Sequence, residues 1–578
     1  MYILTAAEGG GLVYRGRYNR NLISIIKQLP GRSYNPETKE WFLPAEPEVV
    51  ETLENNGVEI TAEARELVRQ KVEAQEMIAQ AKDQARPEPA KPMPLKGHIE
   101  PFAHQIKGYN ISLMHSAAGL LHEQGCGKTI TAIATAGRRY LDGEVKKLLI
   151  VAPLSVIPVW KAEFEEAADF NFVAVTLQGD KAKRQQALVD LQEVNGALQV
   201  ALVNYEGYWR PGIFEMLLGW NPDMVIADES QRIKNHTAKQ SKGLHKISDK
   251  AGFRMILTGT PVTATPLDFF SQYKFLDPEV FGKSYYSFRN RYAIMGGYEN
   301  REVVGYRNKD ELVRKAHSIA HRVTKEEALD LPEWIDQDLY CDLEPKARRY
   351  YNDMLKTNMA EIENEKQQRG RLVASNVLTR LLRLQQMVGG FVPRDQDEDQ
   401  EFNAESAEMM QVSSAKLDLL KETLGDLLHA GHKVVIFARF VPEIKAIMKL
   451  LDETKFNGLG RAGYRYIYGA VKQEDRGAMV DQFQNDPEIR VFIAQVQTAG
   501  LGITLHAADT AIFYSADFNY GNYDQCKARV HRIGQRRPVN YLHLIAKDTV
   551  DEKIYRAIKQ KRSLADDVVN NWKQYFAK

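Results

Sequence analysis

Apolar residues in this chain gather in two stretches where short, wholly apolar runs alternate with segments of helical period. In the first, from about Gly97 to Asp277, strand-like runs stand at Leu148 to Ala152, Val200 to Val203, Met224 to Ala227 and Met255 to Thr258. In the second they stand at Val434 to Phe437, Tyr466 to Tyr468, Val491 to Ala494, Ala511 to Tyr514 and Tyr541 to Ile545. A strand that is apolar on both sides has to be covered on both faces, which predicts parallel sheets sandwiched between helices. Residues 280 to 425 differ. They are charged and helical in pattern, without clear buried strands, and 395 to 408 carries seven acidic residues and no basic one. That run predicts a solvated surface loop.

The first 60 residues predict a small mixed unit: a strand at Leu12 to Tyr14, a helix through Leu22, Ile25, Ile26 and Leu29 stopped by Pro30-Gly31, then two short strands around the Asn35-Pro36 turn. Thr61 to Arg86, rich in Ala, Glu, Gln and Lys, predicts a solvated connecting helix, and Pro87 to Pro94 ends it. The expected organisation is therefore 1–60 as an accessory unit, 61–96 as a helical and Pro-rich linker, 97–277 as a first α/β lobe, 278–425 as helical insertions, and 426–578 as a second lobe.

Composition narrows the function classes. A chain of 578 residues, 44% hydrophobic and 26% charged, has ordinary globular make-up. Its 77 Lys+Arg against 76 Asp+Glu exclude a polycation, so contact with nucleic acid has to use local patches. One such patch is the last 58 residues, with 13 basic against 6 acidic side chains. The longest apolar stretch, Leu148 to Trp160, is too short to span a bilayer and holds two prolines. The first residues lack the pattern of a secretory signal. Cys126, Cys341 and Cys526 are too few and too scattered for a disulfide framework or zinc cluster, so a reducing, cytoplasmic setting is expected.

Two constellations carry chemistry. Gly125-Cys126-Gly127-Lys128-Thr129 precedes an apolar helical face at Ile130, Ala132, Ile133 and Ala136. A glycine-rich turn at a helix start presents backbone N–H groups and the positive dipole end to an anion. Lys128 would reach the β and γ phosphates and the Thr129 hydroxyl would ligate Mg2+, although position 122 is His where the strict loop pattern has Gly. The second constellation is Asp228-Glu229 at the carboxyl end of an apolar strand, where ligands bind in α/β sheets. Asp228 would hold Mg2+ and Glu229 would orient or deprotonate the attacking water.

These residues, with Phe102-Ala103-His104-Gln105, Asp228 to Asn235, Leu257 to Pro261, Gln497 to Gly502 and Gln525 to Gln535, resemble the Swi/Snf branch of superfamily-two helicase-like ATPases over roughly residues 98 to 560. The resemblance implies two RecA-like parallel-sheet lobes with helical insertions, ATP and Mg2+ as cofactors, and DNA as partner. It implies that Gln105 reads the adenine, that Gly502 lies at the nucleotide, and that Gln525, Arg529 and Arg532 act on the γ-phosphate. Their i, i+4, i+7 spacing predicts one helical face. The sequence departs from the family pattern at His122, Cys126 and Gln231; the last stands where a histidine is usual and can still donate and accept a hydrogen bond.

Strand-end stretches are the candidates for backbone phosphates: Pro153 and Ser155 in the first lobe, Arg439, Thr498 and Gly500 in the second, with Thr260 in the Leu-Thr-Gly-Thr-Pro run. Asn204-Tyr205-Glu206 reads as a strand-to-loop junction. Residues Asn19 to Ile23, Lys27 to Pro30, Tyr34 to Pro36 and Lys39 to Pro44 are similar to the HARP domain of annealing helicases, which implies an α+β unit binding branched DNA. Trp41 is expected in the core of that unit. The function expected is an ATP-driven translocase on double-stranded or branched DNA, without membrane contact; a strand-separating helicase and an ATP-switched scaffold are the alternatives. Its compact make-up suits a bacterium or its viruses.

Overall fold

The computed structural model describes residues 2–7, 11–29, 31–154, 156–263, 265–296, 302–328, 332–369, 382–393, 409–456, 460–498, 503–516, 520–532, 534–556 and 558. The acidic run 395–408 lies outside them. The chain divides into two compact units, with the division after Ala328.

The first unit opens with β1 (Tyr2–Ala6), β2 (Leu12–Gly16), α1 (Arg20–Ile26), β3 (Ser33–Asn35), β4 (Glu40–Leu43), α2 (Pro47–Glu54) and β5 (Glu59–Ile60). The sheet order is β3-β4-β2-β1-β5. Asn19 caps α1 by accepting from the Asn21 and Leu22 N–H groups, satisfying two of the four orphan donors of a helix start. Leu4, Leu12, Leu22, Ile26, Val49 and Leu53 close the core, with Trp41 packed against it.

The helix α3 (Ala62–Asp83) corrects one expectation. Its few large apolar residues predict a solvated helix, yet Ala64, Val68, Ile78 and Ala81 are buried at helical spacings. Ala64 and Val68 join the N-terminal core, while Ile78 and Ala81 meet Ile111. A polar tie reinforces this: Lys82 Nζ donates to the His317 carbonyl at 2.5 Å. Small side chains at regular spacing bury a helix without registering as an apolar stripe.

Beyond it follow α4 (Ala103–Met114), β6 (Ala117–His122), α5 (Lys128–Leu141), β7 (Lys147–Ala152), α6 (Ile157–Ala167), β8 (Phe172–Thr176), β9 (Leu198–Asn204), β10 (Met224–Asp228), β11 (Phe253–Leu257), the antiparallel hairpin β12 (Ala293–Gly296) and β13 (Glu302–Tyr306), and β14 (Ala320–Val323). Seven parallel strands run in the order β14-β6-β11-β10-β7-β9-β8. Alternation along each strand divides the core in two. Leu149, Val151, Val225 and Ala227 face one layer of helices, and Leu148, Ile150, Met224 and Ile226 face the other.

The second unit holds β15 (Trp334–Cys341), the hairpin β16 (Phe391–Pro393) and β17 (Met409–Gln411), β18 (Val434–Ala438), β19 (Gly463–Ile467), β20 (Ile489–Gln495), β21 (Thr510–Phe513) and β22 (Val539–Ala546). Its six-stranded parallel sheet has the order β15-β22-β21-β18-β20-β19. Among the described residues, 280–425 thus contain six strands where no clear buried strand was expected, and two of them, β14 and β15, join the large parallel sheets. β14 is a short run, Ala-His-Arg-Val, whose polar side chains are buried because partners exist for them: Arg322 donates to the Leu121 carbonyl at 2.7 Å and pairs with Glu123 at 3.0 Å. β15, an edge strand, has only half-buried and exposed positions. Hydropathy registers neither kind of strand.

Candidate functional site

The carboxyl ends of β6, β10, β7 and β9 bring most of the first unit's predicted residues together. Gly125 and Gly127 both have left-handed backbone (φ +89° and +70°), which side chains with a Cβ rarely adopt. Gly127 caps α5, so Lys128 and Thr129 are the first residues of that helix. A Cβ on Gly127 would also collide with the Gln105 amide. That amide is anchored: Gln105 Oε1 accepts from the Phe102 N–H at 2.8 Å, and Nε2 reaches the Gly127 carbonyl at 3.5 Å. Lys128 Nζ donates to the carbonyls of His122 (2.9 Å) and Glu123 (3.2 Å), within the turn it closes.

Three buried histidines support this turn. His104 Nε2–H donates to the Cys126 carbonyl at 2.8 Å, and His122 Nε2 bonds His321 Nδ1 at 2.9 Å. Burial, and the neighbouring histidines, hold His122 well below the usual imidazole range, so it is neutral. A His is accommodated at position 122 because it pairs with a second buried ring across β6 and β14. Sequence reading did not single out His104 as a loop support.

Asp228 ends β10 and is buried. Its Oδ2 accepts from Trp160 Nε1 at 2.8 Å, its Oδ1 accepts from the Glu229 N–H at 2.9 Å, and its carbonyl accepts from the Tyr205 hydroxyl at 2.7 Å. Burial first, and the adjacent Glu229 charge second, raise its pKa to about 6. Glu229 has φ +52°, a conformation of order 1–3 kcal/mol above the helical or extended regions for a residue with a side chain. From it runs a chain of hydrogen bonds. Gln231 Nε2 donates to Glu229 Oε2 (2.7 Å), Thr258 Oγ1 donates to Gln231 Oε1 (2.7 Å), and the Thr260 N–H donates to Thr258 Oγ1 (3.0 Å). Gln231 both donates and accepts, as its amide predicts, so the link between the two motifs persists without a histidine.

Orphaned polar atoms point to a ligand. Both ends of the buried Gln124 amide and Thr260 Oγ1 have no hydrogen-bond partner among the described residues. Each unmade bond costs roughly 1–3 kcal/mol, a cost that a bound polar group recovers. The donor set also suits a hard divalent cation: Thr129 supplies a hydroxyl and Asp228 a carboxylate, both oxygen ligands.

Among the strand-end candidates, Pro153 is buried after β7, and Ser155 lies outside the described residues. In the second unit Arg439 follows β18. Its N–H donates to Ser515 Oγ (2.8 Å) and its guanidinium to Gln385 Oε1 (2.6 Å). Thr498 Oγ1 donates to the Gln495 carbonyl at 2.9 Å; Gly500 and Gly502 lie outside the described residues. Gln525 and Arg529 sit on the helix Tyr520–Val530. Arg532 does not share that helix. It stands in the turn beyond, where the Gln535 N–H bonds its carbonyl (3.0 Å) and Gly534 has φ +98°. Spacing alone read one helical face because it carries no stop signal before Gly534. In the accessory unit Tyr34 is 47% exposed and rests on Trp41 at 4.9 Å between ring centroids, while Trp41 is half-buried against the small core.

Comparison with known proteins places this geometry. The SNF2-related domain family matches residues 53–389, the helicase conserved C-terminal domain 415–534, and the HepA-related protein (HARP) family 14–46. The chain is similar to the Mus musculus chromodomain-helicase-DNA-binding protein 1-like (30% identity over 475 residues, 81% of this chain and 50% of that one). It is also similar to the Schizosaccharomyces pombe chromatin structure-remodeling complex subunit snf21 (26% identity, 81% of this chain and 39% of that one). It spans about half the length, or less, of these curated relatives. Among solved structures, the Sulfolobus solfataricus SWI2/SNF2 ATPase core in complex with dsDNA aligns at 24% identity and TM-score 0.39, over 85% of this chain and 97% of that one. Among the described residues no helix is long and apolar enough to cross a membrane.

Proposed function

The chain belongs to the SNF2-related family, and on that premise we propose that it is a DNA-dependent ATPase that translocates on double-stranded DNA and remodels or re-anneals branched structures. The observation that carries this reading is the hydrogen-bonded line from Glu229 through Gln231 and Thr258 to Thr260. It ties the residue suited to activate water to a loop suited to meet DNA, so nucleotide state and track contact are coupled within one network. Lys128 and the turn's N–H groups would bind phosphate oxygens, Gln105 would meet the base, and Glu229 would take a proton from the attacking water. Thr129 and Asp228 would hold Mg2+, which when bound neutralises charge on the β and γ phosphates. Arg529 and Arg532 would stabilise charge in the transition state, with Gln525 beside them. Pro153, Ser155, Thr260, Arg439, Thr498 and Gly500 would track the backbone. The HARP-like unit would favour forks, with exposed Tyr34 offering a stacking face. The place of action proposed is the cytoplasm of a bacterial or phage-infected cell.

ATP turnover measured without nucleic acid, with duplex DNA, with forked DNA and with RNA tests the reading. Duplex and forked DNA are expected to stimulate turnover and RNA to leave it at the basal rate; equal stimulation by RNA would overturn it. A labelled partial duplex is expected to remain paired.

The Asp228 carboxylate supplies a pH prediction. Proton and cation compete for the same oxygens, and a pKa near 6 rather than 3.8 brings that competition close to neutrality. The Mg2+ concentration for half-maximal nucleotide binding is therefore expected to be flat from pH 8 to 7 and to rise as pH falls through about 6. A flat profile down to pH 5 would place the metal on other groups.

A further inference from the structure

The Asp228 side chain and carbonyl are held by residues from the two strands beside β10 on one side, and nothing in the motif series assigns those residues a role. In the sheet β10 neighbours β7, and β7 neighbours β9. Trp160 lies in the first turn of α6, which opens on buried Ile157 and exposed Pro158 and follows β7 and the Pro153-Leu154 loop. Its indole is wholly buried, packed at 6.2 Å from Phe164, and its single N–H points at Asp228 Oδ2 at 2.8 Å. Tyr205 directly follows β9. Its ring is wholly buried and its hydroxyl donates to the Asp228 carbonyl at 2.7 Å. The next residue, Glu206, pairs with Arg232 at 3.1 Å and accepts from Asn204 Nδ2 at 2.9 Å on the surface. A core tryptophan or tyrosine needs only some acceptor. Here both converge on one residue from separate elements, one on its carboxylate and one on its backbone carbonyl.

We propose that Trp160 and Tyr205 are positioning residues for the divalent cation: they clamp Asp228 from the first turn of α6 and from the loop after β9, so that a displacement of either by bound DNA alters the orientation of the metal-holding carboxylate. Trp160 fixes one carboxylate oxygen and leaves its remaining lone pair, with that of Oδ1, free for a metal-bound water or the metal itself. Tyr205 fixes the backbone at the same point. Outer partners of this kind change metal affinity by roughly 10–100-fold when removed. The metal arm of the proposal rests on the proposed assignment of Asp228 to Mg2+, and its DNA arm on the reading of the chain as a DNA-dependent ATPase.

The test uses the full-length protein and two substitutions that each delete one donor and retain an aromatic ring, Trp160→Phe and Tyr205→Phe. Binding of a fluorescent ADP analogue is measured across Mg2+ concentrations without turnover, and Mn2+ binding to the nucleotide complex is followed by electron paramagnetic resonance. Trp160→Phe is expected to raise the half-saturating Mg2+ about tenfold while leaving affinity for the analogue at saturating Mg2+ within twofold of the parent. Tyr205→Phe is expected to shift it in the same direction by less. A structural role alone would lower the melting temperature without moving the Mg2+ midpoint, and that result would overturn the proposal. So would an Mg2+ midpoint moved by Tyr205→Phe only, because the carboxylate clamp is then absent. If Trp160→Phe is not recovered folded, Tyr205→Phe with an unchanged midpoint overturns it. For the DNA arm, the parent's stimulation by duplex DNA is compared with that of each variant, and duplex affinity is measured in parallel. Loss of stimulation with duplex affinity retained supports the link; unchanged stimulation refutes it. A parent that no DNA stimulates sinks the proposed function, and the Mg2+ midpoints still decide the metal arm.

Discussion

Replacing Arg532 by alanine is expected to lower kcat for ATP about 10³-fold or more while leaving the KM for ATP within a few-fold. The reasoning is electrostatic. As the γ-phosphoryl group transfers, charge develops on its oxygens, and a guanidinium that is charged at every working pH stabilises that charge far more than it stabilises bound ATP. Arginines in this role contribute on the order of 10³–10⁵ in rate. Lysine at the same position is expected to recover only part of the loss, because an ammonium cannot match two phosphate oxygens with a planar fork. Arg529→Ala is the necessary companion. Arg529 is buried on the helix Tyr520–Val530, and its carbonyl accepts from the Leu505 N–H at 2.9 Å. Single-turnover kinetics beside a thermal melt separates the two residues. A catalytic role leaves the melting temperature near the parent's, whereas a packing role lowers it. Should Arg532→Ala hydrolyse ATP at the parental rate, the assignment of that arginine to the transition state is wrong.

Glu229→Gln is expected to reduce kcat by roughly 10²–10⁴-fold, the range of a lost general base, with nucleotide binding retained. The substitution is clean for a structural reason. Glu229 Oε2 accepts from Gln231 Nε2, and a glutamine at 229 keeps a carbonyl oxygen that accepts the same bond. The line through Thr258 to Thr260 therefore survives, and what is lost is the negative charge and its affinity for a proton. Removing that charge also relieves Asp228, whose pKa the neighbouring carboxylate helps to raise. The variant is accordingly expected to retain nucleotide binding and to keep its Mg2+ midpoint flat to a lower pH than the parent. Rates under saturating ATP, with equilibrium binding of a fluorescent analogue on the same protein, measure both effects. A variant that loses binding along with turnover would show that Glu229 shapes the site instead of activating water.

The Gln231 position shows how much of the site was legible in the chain. An amide can replace a ring that donates on one side and accepts on the other, so continuity of the network followed from residue type, and the structure gives it two bonds of 2.7 Å. The glycines were legible for a similar reason, since a turn that feeds N–H groups to an anion demands backbone that only glycine supplies readily. Arg532 was not. A spacing of seven describes one face only while the helix lasts, and this helix stops at Val530. Likewise α3 looked solvated because alanines contribute little to an apolar stripe, yet at the right spacing they let a helix lie close to its neighbour.

What the amino-acid order determined by itself was the set of elements and the chemistry each could carry: apolar runs that must be covered on both faces, a glycine turn opening a helix, and carboxylates at a strand end. Hydrophobic period reports that a side chain is buried and says nothing about which polar atom it finds there. Trp160 and Trp220 are both wholly buried. One donates to the Asp228 carboxylate 68 positions away and the other to the Gln199 amide, 21 positions away. That choice belongs to the strand order β10-β7-β9, which sets Asp228 beside the start of α6 and the end of β9. Sheet order is fixed by the packing of all seven strands at once, so the tertiary structure alone decided which donors hold that carboxylate.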